Sequence, residues 1–148
     1  MIIECRPADD VEIAELLAAQ QAELRRFEAD SGAIDGSFPL HDDVRYLVLL
    51  VEGQVVACGA LQTIDNTTAE IKRMYVRPSA RGKGYARVVL AALEEWAVAG
   101  GHRAARLETG SYLPVARRLY RTAGYRPIPA YGQYVTNPFS RCFEKQLG

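Results

Sequence analysis

The chain has 148 residues, enough for one domain with a core of its own, and about half of them are apolar and a quarter charged. Eighteen basic residues balance eighteen acidic ones, which removes the overall positive charge expected of a nucleic-acid binder. No apolar run approaches the roughly 18 residues of a membrane span, and charges interrupt the N-terminus where a signal peptide needs an apolar stretch. Three widely spaced cysteines, Cys5, Cys58 and Cys142, read as reduced and mostly buried thiols of a cytoplasmic protein. The two histidines, His41 and His102, stand apart from each other and from every cysteine, so no metal site is expected.

The elements follow in order. Ile2 to Arg6 reads as a short strand stopped by Pro7. Asp9 or Asp10 can cap a helix in which Val11, Ala14, Leu17 and Ala18 recur three and four apart, continuing or restarting through Leu24 and Phe27. Ala29 to Asp43 is rich in Asp, Gly, Ser and Pro and is expected to form a long loop. Three strand-like runs follow: Tyr46 to Val51, Val55 to Thr63 and Thr68 to Val76. The tight turns Glu52-Gly53 and Asp65-Asn66 make them antiparallel neighbours. In the third run Ile71 differs in parity from Met74 and Val76. Either a bulge lies near Lys72-Arg73 or the strand is buried on both faces.

Arg77-Pro78 ends that strand, and Arg81-Gly82-Lys83-Gly84-Tyr85-Ala86 leads into an amphipathic helix from about Tyr85 to Ala99 with Val89, Leu93, Trp96 and Ala97 on one stripe. Gly100-Gly101 closes it, and Ala104 to Thr109 is a further strand. Ser111 is expected to cap a helix carrying Val115, Leu119 and Tyr120, which ends at Gly124. Tyr125 to Ile128 and Arg141 to Leu147 complete the strands. With no repeat and no linker, residues 1–148 read as a single α+β domain.

The glycine turn carries the chemistry. The first N–H groups of a helix lack intrahelical partners and sit at the positive end of its dipole. Glycines allow an anion close approach, and Arg81, Lys83 and Arg87 add charge, so a phosphate-bearing ligand is the natural guest. A Walker loop needs Ser or Thr after its lysine, whereas Gly84 and Tyr85 follow Lys83 here. A dinucleotide fingerprint needs a third glycine, where this chain has Arg87.

In this context the sequence resembles the GNAT superfamily of N-acetyltransferases. Their R/Q-x-x-G-x-G/A signature stands here as Arg81, Gly84 and Ala86, after the strand Glu70 to Pro78. A second family segment, A-x-x-L-Y-x-x-x-G-Y, runs from Ala116 through Leu119, Tyr120 and Gly124 to Tyr125. The resemblance implies a mostly antiparallel twisted sheet of about seven strands, splayed between the fourth and fifth, with about four flanking helices. It implies acetyl-coenzyme A as co-substrate, with no metal. Its pantetheine arm would pair with the backbone of Met74 and Val76 around Tyr75. Its pyrophosphate would lie on the amides from Gly82 to Ala86, with Arg117 or Arg121 also in reach.

By the same resemblance Tyr120 is the candidate acid for the leaving thiolate, with a core tyrosine as the alternative. Glu70 is a candidate base working through water, and Glu108 competes for that role or for holding a cationic amine. The amide of Met74 or Val76 would polarise the thioester. Cys58 and Cys142 read as packing residues, so direct attack in a ternary complex is expected. Tyr131, Tyr134 and Phe139 either line the acceptor site or pack the last hairpin, and the second is favoured. The acceptor is a small-molecule amine, a protein lysine or N-terminus, or, in a non-catalytic binding module, no acceptor at all. Many members of the family pair through late strands, so Arg141 to Leu147 is a candidate edge of a homodimer.

Overall fold

The computed structural model describes residues 1–31 and 44–148. Seven strands form one sheet: β1 (Ile2–Arg6), β2 (Arg45–Val51), β3 (Gln54–Thr63), β4 (Thr68–Val76), β5 (Ala104–Gly110), β6 (Arg126–Ile128) and β7 (Ser140–Gln146). Their spatial order is β1-β2-β3-β4-β5-β7-β6, and every pairing is antiparallel except β4 with β5. Among the described residues there are three α-helices, α1 (Val11–Ser31), α2 (Tyr85–Ala99) and α3 (Pro114–Thr122), one fewer than the four expected. Two short 3₁₀ turns, Pro78–Ala80 and Gly132–Thr136, supplement them.

Alternation along β2 and β3 explains why the sheet is covered on both faces. Leu47, Leu49, Ala57 and Leu61 point to one side, where Val89, Leu93 and Ala97 of α2 meet them. Tyr46, Val48, Cys58 and Ala60 point to the other, against Ile13 and Leu16 of α1. These two layers hold almost all of the fully buried aliphatic side chains, and their burial removes apolar surface from water on both sides of the central strands.

Local signals set most boundaries. The Asp10 carboxylate accepts the Ile13 N–H at 3.0 Å, the N-terminal cap expected there. Helix α2 ends where the His102 N–H reaches the Ala97 carbonyl at 2.9 Å and the Gly101 N–H reaches that of Val98 at 3.0 Å. The end of α3 repeats the pattern, from Tyr125 to Tyr120 and from Gly124 to Arg121.

Three expectations need correction. Helix α1 runs unbroken through Ser31, so the loop expected from Ala29 does not start there, and residues 32–43 lie outside the described residues. Ser111 does not cap α3, which starts with Pro114 at its first position and Leu113 before it. Proline suits that place because its missing N–H would have been unpaired anyway. Val115 on that helix is 80% exposed. Strand β7 is flanked by β5 and β6 and is therefore not a sheet edge; the edges are β1 and β6.

Candidate active site

Strands β4 and β5 pair only from Thr68 to Glu70 and from Ala104 to Arg106. Beyond that point a bulge turns β4 away. Cys58 opposes Tyr75 and Ala60 opposes Lys72, so two residues of β4 face Gly59 of β3, and Arg73 takes a φ of 56°. Gly59 is needed there because a Cβ on it would lie 2.7 Å from Leu93 Cδ1 and 2.8 Å from Val89 Cγ1. The missing side chain lets α2 press on the sheet behind the bulge. The result is a cleft of about 720 Å³ running from the glycine turn, along β4, into the gap before β5.

The open edge of β4 is legible in its hydrogen bonds. The Arg77 N–H pairs with Val56 on the β3 side at 2.9 Å, and alternation turns Met74 and Val76 the other way. No strand meets their carbonyls. The Met74 carbonyl accepts Gln20 Nε2 from α1 at 2.8 Å, and the Val76 carbonyl accepts Arg81 Nε at 3.0 Å. Arg81 also donates two bonds to the Glu23 carboxylate at 2.8 and 2.7 Å and lies over the Tyr75 ring. Those bonds hold the Glu23 carboxyl below its ordinary range.

At the turn itself Gly84 is the N-cap of α2 with a φ of 81°, and no side chain caps the helix. The first amides of α2 therefore face the cleft without an intrahelical acceptor. A Cβ at Gly84 would touch nothing, so glycine serves there for its backbone angle alone. Arg87, one residue into the cleft wall, hydrogen-bonds Thr122 of α3.

The other end of the cleft is acidic and aromatic. Glu70 accepts Tyr134 Oη at 2.5 Å, with Lys72 Nζ 3.7 Å away. Glu108 accepts Ser140 Oγ at 2.6 Å. Burial, opposed by that hydrogen bond, and the charge of Glu70 lift the Glu108 carboxyl above the usual range. Among the described residues the Tyr120 hydroxyl donates to the Met74 sulfur alone, at 3.9 Å. Its phenol is pushed up to about 12 by burial and by the charge of Glu108. Cys58 also borders the cleft, but burial pushes its thiol up to about 12 and its Sγ donates to the Arg73 carbonyl at 3.4 Å, which fits a packing role.

This geometry has relatives. Residues 12–125 match the model of the Acetyltransferase (GNAT) family. The chain belongs to the GNAT acetyltransferases. It is 40% identical over 106 residues to the IAA acetyltransferase of Azospirillum brasilense, covering 71% of this chain and 69% of that one. A Klebsiella pneumoniae structure assigned to the acyl-CoA N-acyltransferases superposes with a TM-score of 0.85 at 31% identity, covering 99% of this chain and 97% of the other. A GNAT structure from Elizabethkingia anophelis with acetyl-CoA bound shares the fold with a TM-score of 0.73 at 14% identity, over 99% and 97% of the two chains.

Within this GNAT cleft the structure brings together Glu70, Met74, Tyr75, Val76, Arg81, Gly82, Gly84, Tyr85, Ala86, Arg87, Glu108 and Tyr120. Lys83 and Arg117 are not on its wall. Sequence reasoning passed over Gln20 and Glu23 on α1, which line it together with Glu28. Gln20 and Glu23, three apart, interrupt the helix's apolar stripe with polar residues, a signal that would be read as a solvated face. Tyr134 and Phe139 also face the cleft, against the packing reading favoured for them. Among the described residues no helix is long and apolar enough to cross a membrane, and no group of His, Cys, Asp or Glu could hold a metal ion.

Proposed function

We propose that this GNAT protein transfers the acetyl group of acetyl-CoA to a primary amine of a small molecule, by direct attack in a ternary complex. The observation that carries the reading is the single cleft that joins an uncapped helix N-terminus to two carboxylates and a buried tyrosine. The acetyl-CoA bound in the Elizabethkingia relative and the acetyltransferase activity in the Azospirillum relative's name support it.

The coenzyme's pyrophosphate lies on the amides of Gly82 to Ala86, and its pantetheine arm runs along the open edge at Met74 and Val76. This sets the thioester in the gap between β4 and β5. An alkylamine with a pKa near 10.4 is only about one part in a few thousand neutral at pH 7, so a base must take a proton before attack. Glu108 is the better placed of the two carboxylates for that step, since Glu70 already accepts Tyr134 and neighbours Lys72. A carboxylate whose affinity for protons is raised toward neutrality is also the stronger base.

The freed amine nitrogen forms its bond to the acetyl carbon, and the carbon–sulfur bond breaks. The amide N–H of Met74 or Val76 steadies the carbonyl oxygen while it bears charge. Tyr120 then donates to the thiolate sulfur. Its proton is held only by a thioether, a weak acceptor, and a thiolate in the same dry site has its own pKa lifted, which brings the two groups closer to a match. The products are an amide, free coenzyme thiol and one proton to solvent, the tyrosinate being refilled by a proton shed from nitrogen.

Thiol release from acetyl-CoA, followed over a panel of amines, amino acids and peptides, tests the proposal. Turnover should appear with small primary amines and fall steeply in Tyr120→Phe. Failure to bind coenzyme, or full turnover in Tyr120→Phe at every pH, overturns it.

A further inference from the structure

The two ends of the cleft carry opposite charge. At the glycine turn stand Arg81 and Arg87, with Glu23 paired to Arg81. At the gap end stand Glu28, Glu70 and Glu108. Against those three, Lys72 lies beside Glu70 and its charge also acts on Glu108, and Arg73, which lines the same cleft, acts on Cys58 and Tyr46. Glu70 and Glu28 are 6% and 8% exposed. Glu108, with Ser140 as its hydrogen-bond donor, makes no ion pair among the described residues. A half-buried carboxylate that faces a cavity and has no ion-pair partner of its own is stabilised by a ligand that brings a cation.

Outward from the carboxylates the wall becomes apolar. Tyr112, held to Glu28 by a 3.1 Å hydrogen bond, Leu113 and Phe139 line one side, and Phe27 of α1 faces the same cleft. Phe27 is 44% exposed and Val115, also on the wall, 80% exposed. Large apolar side chains grouped at the mouth of a cleft mark a surface that a ligand covers.

We infer that the acceptor is a compact primary amine whose only charge is its ammonium, seated toward Glu108, and whose body is aromatic or apolar and meets Tyr112, Phe139 and Phe27. This rests on the acetyl-transfer reading and narrows its acceptor. A carboxylate on the acceptor would have to enter beside Glu70 and Glu108, where like charges oppose it. A small polar amine would leave the apolar wall wet.

The test compares kcat/KM for four acceptors at one acetyl-CoA concentration: phenethylamine, phenylalaninamide, phenylalanine and ethanolamine, with a lysine-containing peptide as a fifth. Phenethylamine and phenylalaninamide should exceed phenylalanine and ethanolamine by about tenfold or more, the size of discrimination expected of an apolar pocket or an opposed charge. Phe139→Ala should raise KM for phenethylamine several-fold more than for ethanolamine, with kcat nearly unmoved. Phenylalanine used as well as its amide overturns the inference, as does ethanolamine matching phenethylamine or turnover confined to the peptide. Coenzyme binding by calorimetry separates the two layers. If acetyl-CoA does not bind, the acetyl-transfer reading fails. If it binds and other amines are preferred, only the acceptor assignment fails.

Discussion

The two ends of the cleft are built by different means. The turn from Arg81 to Arg87 is one contiguous segment whose useful groups are backbone amides, presented by a glycine at a φ of 81°. The gap end takes Glu70 from β4, Glu108 from β5, Tyr120 from α3, Tyr134 from the segment before β7 and Ser140 from β7 itself. The first depends on local conformation and tolerates change in its side chains. The second depends on burial and on distances between elements, so its chemistry is sensitive to single atoms. Substitutions at the two ends should therefore separate binding from turnover.

The largest effect belongs to the gap end. Glu108→Gln is expected to lower kcat by about 10²–10³, and Tyr120→Phe by about 10², within the usual range for positioned acids and bases. Calorimetry on both variants should give coenzyme affinities within about twofold of the parent, since neither group lies on the phosphate grip. Glu70→Gln losing more than Glu108→Gln would transfer the base to Glu70. At the turn the pattern inverts. In Gly84→Val the added Cβ meets nothing within 4 Å, but the residue must hold a left-handed backbone, a strain of about 1–3 kcal/mol. Coenzyme affinity should fall about tenfold while kcat at saturation barely moves. A loss of kcat equal to that of the gap-end variants would break the division.

That division also decides what could be read from the sequence. The glycine turn and the antiparallel run of β2, β3 and β4 were local and legible, and the parity of Ile71 and Met74 hinted at the bulge. Helix α2 lies where its apolar stripe puts it. What escaped were contacts between distant segments. Gln20 is 54 residues from the Met74 carbonyl it meets, and Tyr134 is 64 from Glu70. Neither is signalled by periodicity, and a tyrosine between turns reads most simply as packing. The start of α3 was misplaced for a different reason. Ser111 and Pro114 are competing helix-start signals three residues apart, and the turn closed by Leu113 N–H on the Gly110 carbonyl let proline win.

The pH dependence sharpens the contrast further. Glu108 is lifted in the folded protein, so it is still protonated at pH values where an ordinary carboxylate has ionised. The acid limb of kcat/KM should then sit above the usual carboxylate range and vanish in Glu108→Gln. The same shift carries a stability prediction. A carboxyl whose folded pKa exceeds its unfolded one contributes stability below the unfolded pKa, and that share is lost as pH rises through the folded value. Removing the charge should therefore stabilise the protein more at pH 8 than at pH 5, seen as a larger gain in Tm at the higher pH. Thermal scans of parent and variant at the two pH values measure it.

The smallest expected change lies at the basic end, in the pair between Glu23 and Arg81. Arg81 is 43% exposed on its side chain, so solvent screens the pair and its share of stability is at most about 1 kcal/mol despite two short bonds. Its effect on the coenzyme should have the opposite sign. Glu23→Gln removes the carboxylate paired with Arg81 and would leave that guanidinium's charge to the pyrophosphate. Coenzyme binding should tighten about two- to fivefold at low salt, and the gain should shrink as ionic strength rises toward 1 M, where the screening length falls to about 3 Å. A weakening of binding instead would mean that Glu23 aims Arg81 by holding its guanidinium in place, and that the turn relies on a positioned side chain as well as on its backbone.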